Sequence, residues 1–246
     1  MRAAALLLPL LLLFGCVSAP AERGSVLIFS HTTGYRHDAI AVAVPAMARI
    51  VEAEGLEARA SEDPAVFSEE GLKGVRAIVL LSATTDPKDP ASEWLQGPRR
   101  AALQAFVRRG GGIVAVHAAA DSHYHWPWYG TLIGGRFRSH PQGAPRGMLS
   151  VVDRGHPATE ALPETIVHTD EWYSFKEYDA ASRLLMTLDP VSIGASGAAQ
   201  PIAWGREVEG GRVFYTALGH TAEAWGEPFF TAHLRGGLRW VLGTRR

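Results

Sequence analysis

Apolar positions fall into unbroken runs in the first half of the chain and into shorter, interrupted ones in the second. Residues 25–29 (SVLIF), 77–81 (AIVLL) and 113–116 (IVAV) are apolar without alternation and are flanked by glycine or polar residues. Such runs read as strands buried on both faces. Between them the period becomes helical. Ile40, Val44, Met47 and Val51 recur at steps of three and four, Asp38 can cap that helix, and Gly55 can end it. Residues 56–60 form a further strand candidate. Pro98 suits the first turn of the next helix, whose Leu103, Phe106 and Val107 face inward and which glycines 110–112 terminate. This alternation predicts an α/β fold with a doubly wound, mostly parallel sheet.

The second half has a different texture. Residues 118–135 read as a long loop with a helical or irregular piece. Short strands are expected at 148–152, 165–168, 184–188 and 202–204, with a hairpin turn at Gly210-Gly211 leading into 212–216. A closing helix over 229–242 turns Leu234, Leu238 and Val241 inward. The sheet should therefore gain antiparallel strands. No internal repeat and no second linker appear, so one domain is expected over 24–243.

The first residues read as a leader rather than as part of the fold. Arg2 precedes an apolar run over 3–14 that only Pro9 interrupts. As a helix this run spans roughly 18 Å, too short for a hydrocarbon core of ~30 Å, and it fits the apolar stretch of a signal peptide. It ends Leu13-Phe14-Gly15-Cys16, which resembles a bacterial lipobox. The expectation is a signal over 1–16, lipidation of Cys16, a tether over 17–23, and a domain exported to the bacterial cell envelope. Membrane contact would then run through the lipid anchor alone.

Composition and charge narrow the field. Of 246 residues 47% are hydrophobic and 20% charged, an ordinary globular balance. A net charge of −1 with no run of like charge leaves no electrostatic footprint for nucleic acid. Cys16 is the single cysteine. The domain therefore has no disulfide, no thiolate nucleophile and no cysteine zinc site.

Ligands of open α/β sheets bind beyond the carboxyl ends of the strands. His31, His117 and His220 follow the first, central and hairpin strands, and Tyr35, Arg36 and His37 precede the first helix. Taken alone, His31 reads as a structural residue, whereas His117 is exposed by a tight turn. Asp170 and Glu171 stand beside Trp172 and Tyr173, an arrangement that can tune a carboxyl for acid–base work. Trp126, Trp128, Trp204 and Trp225 could offer flat faces to sugar rings or simply roof the core. A divalent metal such as zinc could be held by His37, His117, His140, Glu171 and His220. No HExxH or similar tight spacing is present, and His123 and His125 are too local to define a site. A metal-free hydrogen-bonding centre stays open beside the metal.

These segments together resemble the ThuA-like (trehalose utilisation) family. They are 30–38 (SHTTGYRHD), 110–118 (GGGIVAVHA), Trp128-Tyr129, Gly134-Gly135 to His140-Pro141, His156-Pro157, 170–173 (DEWY), 201–204 (PIAW) and 211–220 (GRVFYTALGH). The resemblance covers nearly the whole domain in order. It implies a flavodoxin-like fold similar to class I glutamine amidotransferases, with His117 at the turn where those enzymes carry a cysteine. Glutaminase chemistry is then excluded. It also implies a role in disaccharide or oxidised keto-sugar metabolism, so the expected partner is a small carbohydrate. In that setting His117, His37, Glu171 and His220 are the catalytic candidates, and Arg36, Tyr35, Trp128, Asp170, Tyr173 and Trp204 the substrate-binding ones. A non-catalytic sugar-binding or partner-binding lipoprotein is the alternative, and a homo-oligomer stays open.

Overall fold

A computed structural model of the chain describes residues 24–244. The expected signal, lipobox, Cys16 and tether lie outside these residues. The elements run β1 Ser25–Phe29, α1 Ile40–Ala53, β2 Glu57–Ser61, β3 Val75–Leu81, α2 Pro98–Arg108, β4 Gly112–Val116, α3 Pro127–Ile133, β5 Arg136–Ser139, β6 Arg146–Val151, β7 Thr165–Thr169, β8 Ser174–Lys176, β9 Arg183–Asp189, β10 Gln200–Val208, β11 Gly211–Thr216 and α4 Pro228–Leu242. The main sheet has nine strands in the order β2-β1-β3-β4-β11-β10-β9-β6-β7. Its first five strands are parallel in the flavodoxin-like arrangement, and β10, β9, β6 and β7 continue it by antiparallel pairing. β5 and β8 form a separate two-stranded sheet. Among the described residues no helix is long and apolar enough to cross a membrane.

The apolar runs behave as double-sided burial requires. β1 and β4 are buried along their whole length, as is β3 from Ala77 onward. Right-handed crossovers place α1 and α2 on opposite faces. α4 packs beside α1 and over β3, β4 and β11. Close approach of α4 needs its paired glycines. A Cβ at Gly236 would collide with the Pro157 carbonyl, and one at Gly237 with the Phe214 ring.

Three expectations change. Asp38 does not cap α1; the helix starts after Ala39 and has no side-chain cap. The hairpin turn is Glu209-Gly210, both left-handed at φ 48° and 97°, as a tight two-residue turn demands. The strand expected at 202–204 extends over all of β10, because it lies inside the sheet between β9 and β11.

Strand direction decides where chemistry collects. β11 runs with β4, so β10 runs against it, β9 with it, β6 against it and β7 with it. The carboxyl ends of β1, β3, β4, β11 and the remote β7 therefore share one edge. The loop that enters β6 opens at the same edge.

Candidate functional site

That edge gathers His37, His117, Glu171 and His220, whose donor atoms all lie within 4.8 Å of one another. They arrive after β1, β4, β7 and β11 respectively. His117 is the centre. It leaves β4 with φ 51°, a left-handed conformation that costs an L-residue roughly 1–2 kcal/mol. Two hydrogen bonds hold it there. Its Nδ1 lies 2.7 Å from the Ala217 carbonyl, and the Tyr215 hydroxyl donates to its own carbonyl at 2.9 Å. A carbonyl only accepts, so Nδ1 donates to it and Nε2 is left facing His220 and Glu171.

His117 Nε2 stands 3.2 Å from His220 Nδ1 and 3.5 Å from Glu171 Oε2, and His220 Nδ1 is 3.3 Å from that same oxygen. The other carboxylate oxygen, Oε1, is 3.1 Å from His140 Nδ1. The His37 ring meets His117 and His220 edge-on, with centroids 4.7 and 5.2 Å away. Its Nδ1 is buried without a hydrogen-bond partner. The Tyr173 ring covers His117 at 4.4 Å and is itself backed by Phe137. Solvent reaches the cluster past His220 and His140, whose side chains are 28% and 37% exposed.

The electrostatics follow from this crowding. Burial, with His117 and His220 adding to it, lowers His37 to about 3, so it is a neutral imidazole. Burial by itself would raise the Glu171 carboxyl, but the flanking His117 and His220 outweigh it and hold the carboxyl far below its usual range. The hydrogen bond to Glu171 raises His220. Burial, then the nearby Glu171 charge, pushes the Tyr173 phenol well up, so it stays protonated.

Asp170 frames the site rather than lining it. It is fully buried, and Oδ1 accepts from the amides of Glu171 at 2.9 Å and His220 at 3.0 Å. Oδ2 accepts from the Gly219 amide at 2.8 Å and faces His168 Nε2 at 3.2 Å. One carboxylate thus ties the loop after β7 to the loop after β11. The bond to Asp170 keeps the His168 pKa raised despite its burial.

The remaining candidates separate. Tyr35 is largely exposed and touches His37 edge-on at 4.8 Å, so it flanks the opening. Arg36 turns away to pair with Glu62 at 2.7 Å. Trp128 donates to Glu209 at 3.0 Å, in the hairpin turn at the opposite edge of the sheet. Trp204 is fully buried, stacks on Tyr215 at 4.3 Å and donates to the Ile133 carbonyl. Neither tryptophan can platform a ligand at the cluster. His31 packs against Phe29 and Trp94, outside the group. A broad groove of about 830 Å³, lined by residues including Lys73, Arg76 and Arg109, lies at the amino edge and holds none of the candidates.

A second polar cluster was not foreseen from the sequence. Glu93 is buried and accepts from Arg100 Nη2 and the His125 amide, both at 2.6 Å. Burial opposes its ionisation, yet bonding with His123, the His125 amide and Arg100 lowers it to about 2. The available signal was Glu93-Trp94, the same carboxylate–aromatic pairing that marks 170–173.

The chain matches the ThuA family, described as trehalose utilisation, over residues 25–241. It belongs to that family. No curated protein matches it significantly. Among solved structures it is similar to a ThuA-like protein from Bacteroides uniformis ATCC 8492, with 23% identity, TM-score 0.72, and 92% of this chain and 95% of that one covered. A ThuA-like protein from Parabacteroides merdae ATCC 43184 shares 19% identity with TM-score 0.75, covering 91% of each chain. A glutamine amidotransferase from Thermotoga maritima shares the fold at 9% identity and TM-score 0.60, over 91% of this ThuA-family chain and all of its own. The amidotransferase-like architecture is therefore shown, and in this ThuA domain the turn after β4 carries a histidine.

Proposed function

We propose that this ThuA-family protein acts on small carbohydrates, disaccharides or their oxidised keto forms, at the His37–His117–Glu171–His220 centre, without glutaminase activity. The observation that carries the reading is convergence. Four ionisable side chains from four separate strand ends meet in one buried group beside an opening, where open α/β sheets bind ligands. Such a centre suits proton movement beside a sugar carbonyl. His37 is neutral with an unpaired Nδ1, and Tyr173 remains a hydroxyl donor. Residues 1–16 support export and anchoring through Cys16, which would place the domain at the bacterial cell envelope.

The test is turnover by the full chain on plain and keto disaccharides, with Glu171→Gln and His117→Asn as variants. Asparagine tolerates the left-handed turn at 117. Turnover of a keto sugar that falls at least about 100-fold in both variants, with the folded structure retained by circular dichroism, is expected for groups that act in the reaction. Equal turnover by wild type and variants removes the centre from the mechanism. Sugar binding without turnover would favour a non-catalytic carbohydrate receptor in the envelope.

A further inference from the structure

We infer that His117 Nε2, His220 Nδ1 and Glu171 Oε2 form a three-ligand site for a divalent transition-metal ion of the zinc class, with His37 beside its open fourth position. The inference rests on donor geometry and does not depend on the sugar reading.

The three atoms form a nearly equilateral triangle with edges of 3.2, 3.3 and 3.5 Å. Tetrahedral bonds of about 2.05 Å to nitrogen and carboxylate oxygen set ligand–ligand distances of about 3.3–3.4 Å, the mean of these edges. The point equidistant from all three atoms lies about 1.9 Å from each. Raising it about 0.7 Å out of their plane reaches the bond length of about 2.05 Å that zinc requires. By distance, one ion can reach all three atoms where they stand.

The orientation of the donors points the same way. His117 Nδ1 donates to the Ala217 carbonyl, which leaves Nε2 beside His220 Nδ1 and Glu171 Oε2. Three ligand-capable atoms from three separate loops thus stand together. The surroundings have the features of a metal's outer shell. The His117 Nδ1 proton is fixed by a carbonyl, Glu171 Oε1 is met by His140, and the His220 backbone amide is held by Asp170. His37 Nδ1, buried and unpaired, fits a site whose remaining partner is an ion or its bound water. Imidazole and carboxylate donors without thiolate favour zinc and its neighbours over copper(I) or iron–sulfur clusters.

The experiment uses the full chain, purified without a histidine tag, stripped with a chelator and titrated with Zn²⁺ alone and Co²⁺ alone. One equivalent per chain is expected, and saturating Zn²⁺ at about 100 times Kd should raise Tm by about 5–10 °C. Glu171→Gln, His220→Ala and His117→Asn should each weaken binding by more than about 100-fold, exceeding the loss typical of outer-shell changes. His125→Ala, at an exposed histidine outside the cluster, should bind like wild type. Wild-type protein that takes up no equivalent and whose Tm does not move at millimolar Zn²⁺ overturns the inference. So does uptake that the three cluster variants leave unchanged, since the metal is then held elsewhere. Loss of metal binding with sugar turnover intact would uphold the site and refute only its use in catalysis.

Discussion

Asp170→Asn should unlock the site without touching its reactive atoms. The wild-type carboxylate accepts four contacts, two on each oxygen, from the amides of Glu171, Gly219 and His220 and from His168. Asparagine keeps one oxygen and replaces the other with an NH₂ group. Turned one way, its NH₂ faces the amides of Glu171 and His220; turned the other, it faces the Gly219 amide and forces His168 Nε2 to become an acceptor, at a position with no access to water. Hydrogen bonds to a charged group contribute about 1.5–3 kcal/mol each, and breaking a buried ionic contact costs about 3–5 kcal/mol, so a loss of about 3–5 kcal/mol is expected. For a domain of this size that lowers Tm by about 6–20 °C. Urea unfolding followed by tryptophan fluorescence measures the change. Glu227→Gln is the internal comparison. Its carboxylate also meets His168, at 3.2 Å, but is 41% exposed, and its loss should cost under about 1 kcal/mol. A loss below about 1 kcal/mol for Asp170→Asn, or one no larger than that of Glu227→Gln, would refute the framing role.

Acid should weaken the fold before the carboxylates titrate. His156 and His233 are both lowered to about 4, chiefly by burial, while an unfolded histidine titrates near 6.5. Their contribution is complete above pH 6.5 and is lost as pH falls toward 4, by at most about 3 kcal/mol each; denaturation midpoints that stay constant between pH 6.5 and 4.5 contradict this, and His233→Gln should flatten the slope by about a quarter to a third, because His37 and His123 are lowered as well. Glu93→Ala leaves Arg100 and the His125 amide without their acceptor and should cost about 3–5 kcal/mol in urea titrations; a neutral outcome would mean that this buried pair is dispensable. Gly237→Ala sits inside α4, where alanine ordinarily gains about 1 kcal/mol, yet the Phe214 ring blocks its Cβ and the net effect should be a loss of about 1–3 kcal/mol. A stabilised Gly237→Ala protein would show that α4 can lift off the sheet freely.

The parallel half of the fold was legible because burial on both faces writes itself as unbroken apolar runs, as in 77–81. The antiparallel half was less so. β5 and β8 are only four and three residues long and read Arg-Phe-Arg-Ser and Ser-Phe-Lys, with no period to detect. β10 carries Gly205, Arg206 and Glu207 inside a central strand, where Arg206 Nη2 pairs with Asp179 at 2.7 Å, a partner no local pattern reveals. At the site, histidines that directly follow strands were readable from position alone. The separation of Glu171 from Asp170 was not. Adjacent carboxylates look alike in sequence, and only the amides of residues 219 and 220 decide that one is framework while its neighbour faces the imidazoles. Trp204 was misplaced for a related reason, since an indole near a strand end roofs a core or a ligand equally well until the strand's length is known.

The antiparallel extension does more than widen the sheet. An elbow after the central strand projects any residue at that turn over the ends of β3, β4 and β11. A lone histidine there would be an isolated base. What changes its chemistry is a carboxylate, and in this chain that carboxylate comes from β7, the strand farthest from β2 in the sheet order. Three successive reversals after β10 return β7 to the direction of β4, so Glu171 emerges at the same edge as His117. A chain with one strand fewer in the extension would reverse β7 and deliver the carboxylate to the wrong edge. Pairing of β8 with β5 then folds the segment after Glu171 back across the elbow, which is how Tyr173 comes to lie on the His117 ring. The parity of the antiparallel strands is therefore a condition of the site.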